Sequence, residues 1–251
     1  MPEETRNPMR AARANMRPPA LRRFYKCAEV VAADGGGFAV RLDGRPVRTP
    51  GKQPLVAPSR AVAERIAAEW AAQGEAIDPM SMPATRLANS AIDGVAATLS
   101  ETKAEIAKYA GADLVCYRAA TPEALVALQA AAYDPIVAWA RDGLGVRFVT
   151  TVGVAHVVQP EAALAAARAA VEAYVDPFAV AALHVMTSLT GSLLIALMTA
   201  KGALTPEAAW RAAHVDEDFQ TRRWGEDDEA KRRHAARWRY FEAAAKVMAG
   251  I

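Results

Sequence analysis

Cysteine is nearly missing from this sequence: Cys27 and Cys116 stand far apart and outside any metal or redox spacing. A disulfide-stapled fold is excluded, and both read as buried or half-buried thiols of a reducing compartment. Aromatic residues make up only 7% of the chain, while alanine abounds, so the chain should be largely helical with close, small-residue helix contacts. An excess of charge of either sign is missing too. Thirty basic against 28 acidic residues leave +2, which gives no reason to expect nucleic acid or an anionic membrane as partner. The chain has no G-x-G-x-x-G, no P-loop, no H-E-x-x-H, no paired C-x-x-C and no G-x-S-x-G. The glycine-rich "DGGGF" joins two predicted strands rather than a strand and a helix, so it reads as a hairpin turn.

The start, "MPEETRNPMRAARANMRPPALRR", lacks the apolar stretch of a secretory signal. It is arginine-rich, but Glu3 and Glu4 argue against a transit peptide. Residues 1–20 are expected to form a flexible basic tail, broken by Pro18 and Pro19, of a cytoplasmic protein. The excess of Arg6, Arg10, Arg13, Arg17, Arg22 and Arg23 over two glutamates is too small, without interleaved aromatics, for a nucleic-acid arm. Charge vanishes once more, over 177–200, a run long enough to span a bilayer. Ser, Thr, His184 and Gly191 dilute it, and its apolar residues recur at three and four. It reads as one helix over 177–201 buried on nearly all sides, with His184 a hydrogen-bonded core residue and no stable membrane insertion.

What is present is ordinary for a globular protein: 53% apolar and 23% charged residues over 251 positions, enough for one large domain or two small ones. Residues 24–31 and 38–42 alternate as strands around the 34–37 turn, and Asp43-Gly44 is the strongest hairpin signal in the chain. Val47 and Thr49 continue a third strand, and 54–58 could add a short edge strand. Ser59 caps an amphipathic helix that runs to Gly74, with Val62, Ile66 and Trp70, or Ala63, Ala67 and Ala71, facing inward. Two prolines in "IDPMSMP" then mark a boundary. Helices are predicted over 84–99, 101–110, 122–142, 161–174, 177–201, 206–224 and 227–249, several opened by a proline one residue in. Residues 146–159 are rich in β-branched residues and read as a short strand or an extended connector. The fold class is therefore α+β: a small β-rich N-terminal domain with one helix over 21–83, then a larger all-helical C-terminal domain over 84–251.

Two clusters carry candidate chemistry. His214 and Asp218 stand four apart and would share a helix face, the spacing of metal ligands or of a hydrolytic pair, but no second pair completes a site. No metal and no cofactor is expected. The acidic runs at 216–218 and 226–229, flanked by Arg222, Arg223, Lys231, Arg232 and Arg233, suit a solvated face laced with ion pairs or a surface that steers a charged partner. Trp210, Trp224 and Trp238 recur every fourteen residues and would line one side of a continuous helix, as core or as a docking ridge.

The blocks "RRFYK", "LDGRPVRTP", "PLVAPSRAVAERIAAEWAAQGEAIDPMSMPATRLANSAID", "DLVCYRA", "SLLIALMTAKG" and "DEDFQTRRWGEDDEA" together resemble the assembly chaperones of the F1 sector of ATP synthase, in the form found in α-proteobacteria. The resemblance runs from about residue 22 to residue 233. It implies a β-rich domain followed by a helical one, a non-enzymatic monomer, and the free F1 α subunit as partner, whose interface is shielded until the β subunit pairs with it. It implies the bacterial cytoplasm as location, the mitochondrial matrix being that of eukaryotic relatives. It places a partner-binding surface at Glu217, Asp218, Trp224, Glu226 and Asp227, with Glu217 and Glu226 both candidates for the key acid. "WGEDDEA" follows the bacterial form and departs from the mitochondrial one. Trp70 is expected to pack helix to sheet, and Arg86 to tie the two domains by bonding to carbonyls or an acid.

Overall fold

The computed structural model describes residues 21–225 and 227–251; the basic tail expected over 1–20, and Glu226, lie outside them. Strand β1 (Ala28–Ala32) pairs antiparallel with β2 (Phe38–Leu42), the hairpin closing at Ala32 opposite Phe38. β2 turns directly into β3 (Arg45–Pro46) through Asp43 and Gly44, both at positive φ (48° and 78°), the type I′ geometry that matches strand twist. Asp43 also accepts the amides of Lys26 (3.0 Å) and Cys27 (2.8 Å), which hold its carboxyl below the ordinary value. β4 (Val56–Ala57) pairs with the other end of β2, opposite Phe38 and Ala39, and completes a four-stranded sheet.

Helix α1 (Arg60–Ala71), capped by Ser59, lies on this sheet. Its buried residues Val62, Ala63, Ile66 and Ala67 come from both of the expected inward stripes. α2 (Pro83–Ser90) has no cap of its own. Glu69 of α1 supplies one, accepting from the Ala84 amide (2.7 Å), the Thr85 amide (2.8 Å) and the Thr85 hydroxyl (2.7 Å). Burial pushes the Glu69 carboxyl up while these donors pull it down. The helix predicted over 84–99 is not continuous. A π-helical turn, Ala91–Val95, separates α2 from α3 (Leu99–Lys108), and its Asp93 accepts from the Thr49 hydroxyl (2.6 Å) and the Gly51 amide (2.8 Å). A Cβ at Gly51 would stand 2.6 Å from that carboxylate, so glycine is required there.

The rest is α4 (Glu123–Gly143), α5 (Glu161–Glu172), α6 (Pro177–Thr190), α7 (Leu193–Ala200), α8 (Pro206–Ala213), α9 (Val215–Trp224) and α10 (Asp228–Met248). One short strand pair interrupts the helices: β5 (Tyr117–Arg118) runs parallel to β6 (Thr151–Val152), so part of 146–159 is a strand. α6 and α7 are the hydrophobic centre, with seven of the eight residues of α7 buried. α10 lies along α6 and reaches back to α2, and the Ser59 hydroxyl donates to the Gly250 carbonyl. The buried residues form one contiguous cluster from Tyr25 to Met248.

Two predicted long helices are corrected. The run over 177–201 breaks where Gly191 turns left-handed (φ 67°) and Ser192 caps a new helix. The run over 206–224 breaks at His214 (φ −118°, ψ 21°). No helix among the described residues is long and apolar enough to cross a membrane. His184 is half-buried rather than a core residue, Cys27 is exposed, and Cys116 is buried.

Candidate functional site

The second break is followed closely by a third, and together they build a cleft. α9 ends at Trp224, Gly225 takes a conformation open essentially to glycine alone (φ 83°, ψ 170°), and α10 starts afresh. Asp227 caps α10, accepting the amides of Ala230 (2.7 Å) and Glu229 (2.8 Å). The Ala230 amide foremost, with Glu229, Arg233 and Arg232, holds its carboxyl below the ordinary value. The two helices thus diverge around an open cleft of about 720 Å3. Glu217, Asp218, Thr221 and Trp224 of α9 line one wall, and Ala230, Arg233, His234 and Arg237 of α10 line the other.

Behind it lies a stack of rings, of which His234 lines the cleft. Trp210 of α8 donates its indole N–H to His234 Nε2 (2.7 Å) and lies 3.9 Å, centroid to centroid, from His214. His214 is 2% exposed and donates from Nδ1 to the Trp210 carbonyl (2.8 Å), which leaves Nε2 on the side of Glu217. Burial lowers the His214 pKa, against the Trp210 carbonyl and Glu217, which raise it. A neutral His214 has no proton for Glu217 Oε2, 3.8 Å away. The other Glu217 oxygen is 3.9 Å from Arg237, whose second nitrogen is engaged by the Leu189 carbonyl at 2.9 Å. Among the described residues Glu217 has only these loose partners, and its exposed carboxylate can meet an incoming cation.

Of the expected surface residues, the cleft gathers Glu217, Asp218, Trp224 and Asp227; Glu226 lies outside the described residues. Trp224 is 74% exposed, with the Arg223 guanidinium 5.7 Å from its ring. The three tryptophans do not share a helix side, because the breaks at His214 and Gly225 turn the chain. Trp210 and Trp238 pack inside at 5.6 Å while Trp224 points out. His214 and Asp218 are joined only through the helical bond from the Asp218 amide to the His214 carbonyl (2.8 Å); the acid near the imidazole is Glu217. No group of three His, Cys, Asp or Glu placed to hold a metal occurs among the described residues.

Trp70 and Arg86 lie elsewhere. Trp70 meets Tyr25 edge to face at 5.7 Å and accepts its hydroxyl proton at the main chain (2.7 Å), so it packs α1 against the segment leading into β1. Among the described residues Arg86 bonds to neither a carbonyl nor an acid, contrary to expectation. Its guanidinium donates to the Tyr240 hydroxyl and lies 4.8 Å from that ring, which ties α2 to α10. Sequence reading missed Arg237 and Gln129. Arg237 follows Arg233 and His234 at helical spacing, a signal that was available. Gln129 donates to Asp216 (2.6 Å) and accepts the Ala119 amide (2.6 Å), and that long-range pairing leaves no local trace.

Residues 22–141 match the family model of the ATP12 chaperone protein. Among solved structures, the Atu1473 protein of Agrobacterium tumefaciens is 46% identical with a TM-score of 0.88, the match covering 98% of this chain and 92% of that one. Atp12 from Paracoccus denitrificans is 41% identical with a TM-score of 0.83, covering 91% of this chain and 97% of that one.

Proposed function

We propose, since the chain belongs to the ATP12 family of ATP synthase assembly chaperones, that its client is the free α subunit of the F1 sector, held at the α9–α10 cleft. The observation that supports this reading most is the convergence of Glu217, Asp218 and the exposed Trp224 on one open cleft. A docking surface needs a large anchor that loses little conformational freedom, and charges available for exchange. Trp224 supplies the first, and the loosely paired Glu217 the second, a fit for a basic side chain at the rim of a client's apolar interface.

Work of this kind makes and breaks no covalent bond. A subunit awaiting its partner exposes an apolar face prone to self-association, and a monomeric cytoplasmic chaperone that covers the face holds it soluble. The β subunit then displaces the chaperone through a larger or better-fitted contact, with no nucleotide hydrolysis by the chaperone. The domain boundary falls between residues 83 and 84, and the contacts across it, Glu69 with the Ala84 and Thr85 amides and Ser59 with Gly250, keep the cleft mounted on one frame. Co-expression with the α subunit followed by gel filtration tests the reading. The expected outcome is co-elution that Glu217→Lys abolishes without changing the thermal midpoint. An α subunit that elutes or aggregates alone beside the wild-type chaperone contradicts it.

A further inference from the structure

We infer that the open edge of β6 is a strand-addition site for an extended apolar segment of the client subunit; this rests on the proposed function. Residues 149–158, "VTTVGVAHVV", contain no Asp, Glu, Lys or Arg. Natural sheet edges are blunted by lysine, proline, bulges or shortness; this one is short, two residues that end before Gly153, but carries neither lysine nor proline. Val152 is 63% and Val154 101% exposed, and Val149 and Val158 are exposed beside them.

The backbone is as open as the side chains. Gly153 donates to the Arg118 carbonyl (2.8 Å), in register with the Arg118–Val152 pair of the parallel ladder. Alternation along a strand then turns the N–H and C=O of Val152 away from β5, toward solvent. An unpaired donor and acceptor flanked by β-branched side chains is the chemistry that an extended apolar segment completes. A lipid surface would have no use for the amide edge.

The loop is also fixed in place. Gln159, buried, clamps its neck by accepting the Val149 amide and donating to the Val149 carbonyl, both at 2.8 Å, and Phe148 is buried just before it. Such anchoring lowers the ordering cost of binding. Gln129 connects the edge to the cleft. Its amide joins Ala119, directly after β5, to Asp216 in the first turn of α9, whose next two residues line the cleft. The edge and the cleft wall are thus tied through one side chain.

The test is amide hydrogen exchange on the full chain, alone and with purified F1 α subunit, together with α affinities of two variants. Val154→Asp alters a fully exposed side chain, and Val152→Pro removes an N–H that faces the open edge while leaving the bond from Gly153 to Arg118 available. Expected are protection of the Val152 amide on complex formation and capture weakened about tenfold by either variant at an unchanged thermal midpoint. If α is captured while the loop exchanges freely, or while both variants bind like wild type, the edge site is overturned and the α client stands. If α is not captured, a peptide of about ten alternating Thr and Val residues serves as probe. Protection by the peptide then supports the edge while the client reading fails, and no protection by either overturns the edge. Protection that arises only on raising the chaperone's own concentration, or only with phosphatidylcholine vesicles, overturns it as well.

Discussion

Two helix breaks in this molecule use the same parts and come out differently. At the first, between α6 and α7, Gly191 turns the chain and Ser192 caps the next helix. Asp113 then enters from another segment to accept the Ser192 hydroxyl (2.6 Å), the Leu194 amide (3.0 Å) and the Val115 amide (3.2 Å). Every one of these groups is inside, and each has a partner. At the second, between α9 and α10, Gly225 turns the chain and Asp227 caps the next helix, yet among the described residues no side chain from another segment bonds to the corner. Trp224 stands in solvent, and Glu217 meets its partners only at 3.8 and 3.9 Å. A glycine and a capping residue make a corner; what packs on the corner decides whether it holds the core together or remains open to a partner.

The largest effect belongs to the closed break. Asp113→Ala leaves three buried donors without an acceptor and should cost about 3 kcal/mol, seen as a lower denaturation midpoint. Burial also pushes the Asp113 carboxyl from its ordinary 3.8 up to about 6. The folded chain thus holds a proton the unfolded chain has lost, so this stabilisation is full below about pH 4 and is lost as pH rises through about 6. Asp113→Asn cannot ionise, and its stability relative to wild type should rise across that window. A difference that stays flat with pH would show that Asp113 titrates normally.

Gly225→Ala comes next. The added Cβ meets no atom within 4 Å, so the cost of about 2 kcal/mol is backbone strain alone. It should move α10 against α9 and weaken capture of α more than it lowers the thermal midpoint; equal loss of both would make the open junction structural. Trp224→Ala should weaken capture about tenfold and leave the thermal midpoint in place, because the ring is exposed before binding. Smallest is Gly191→Ala, about 1 kcal/mol for a left-handed alanine, with client capture untouched. If Gly191→Ala disturbed capture as much as Gly225→Ala, the distinction between the two corners would collapse.

Much of this was legible locally. The Asp43-Gly44 hairpin, the Ser59 cap and the proline starts of α6 and α8 are written in adjacent residues, and the structure has them. The break at Gly191-Ser192 was written there too, as a glycine stop followed by a serine cap, but the unbroken hydrophobicity on both sides hid it. At His214 neither glycine nor proline marks the break. The acids Asp216, Glu217 and Asp218, which suit the first turn of a new helix, were the available sign. The cleft's acids and Trp224 were visible as composition, whereas their convergence depends on two corners and on Arg237 reaching across from α10. Arg86 was read as a partner of carbonyls or acids because its partner, Tyr240, stands 154 positions later and sequence does not state such pairings.

The most direct test of the central claim is a displacement experiment. The chaperone–α complex is titrated with purified β subunit, and free chaperone is followed by gel filtration. Covering of the α interface requires that β release the chaperone stoichiometrically as α and β pair, with no nucleotide turnover by the chaperone. A stable assembly that holds chaperone, α and β together would contradict it, because the chaperone would then be sitting on some other face.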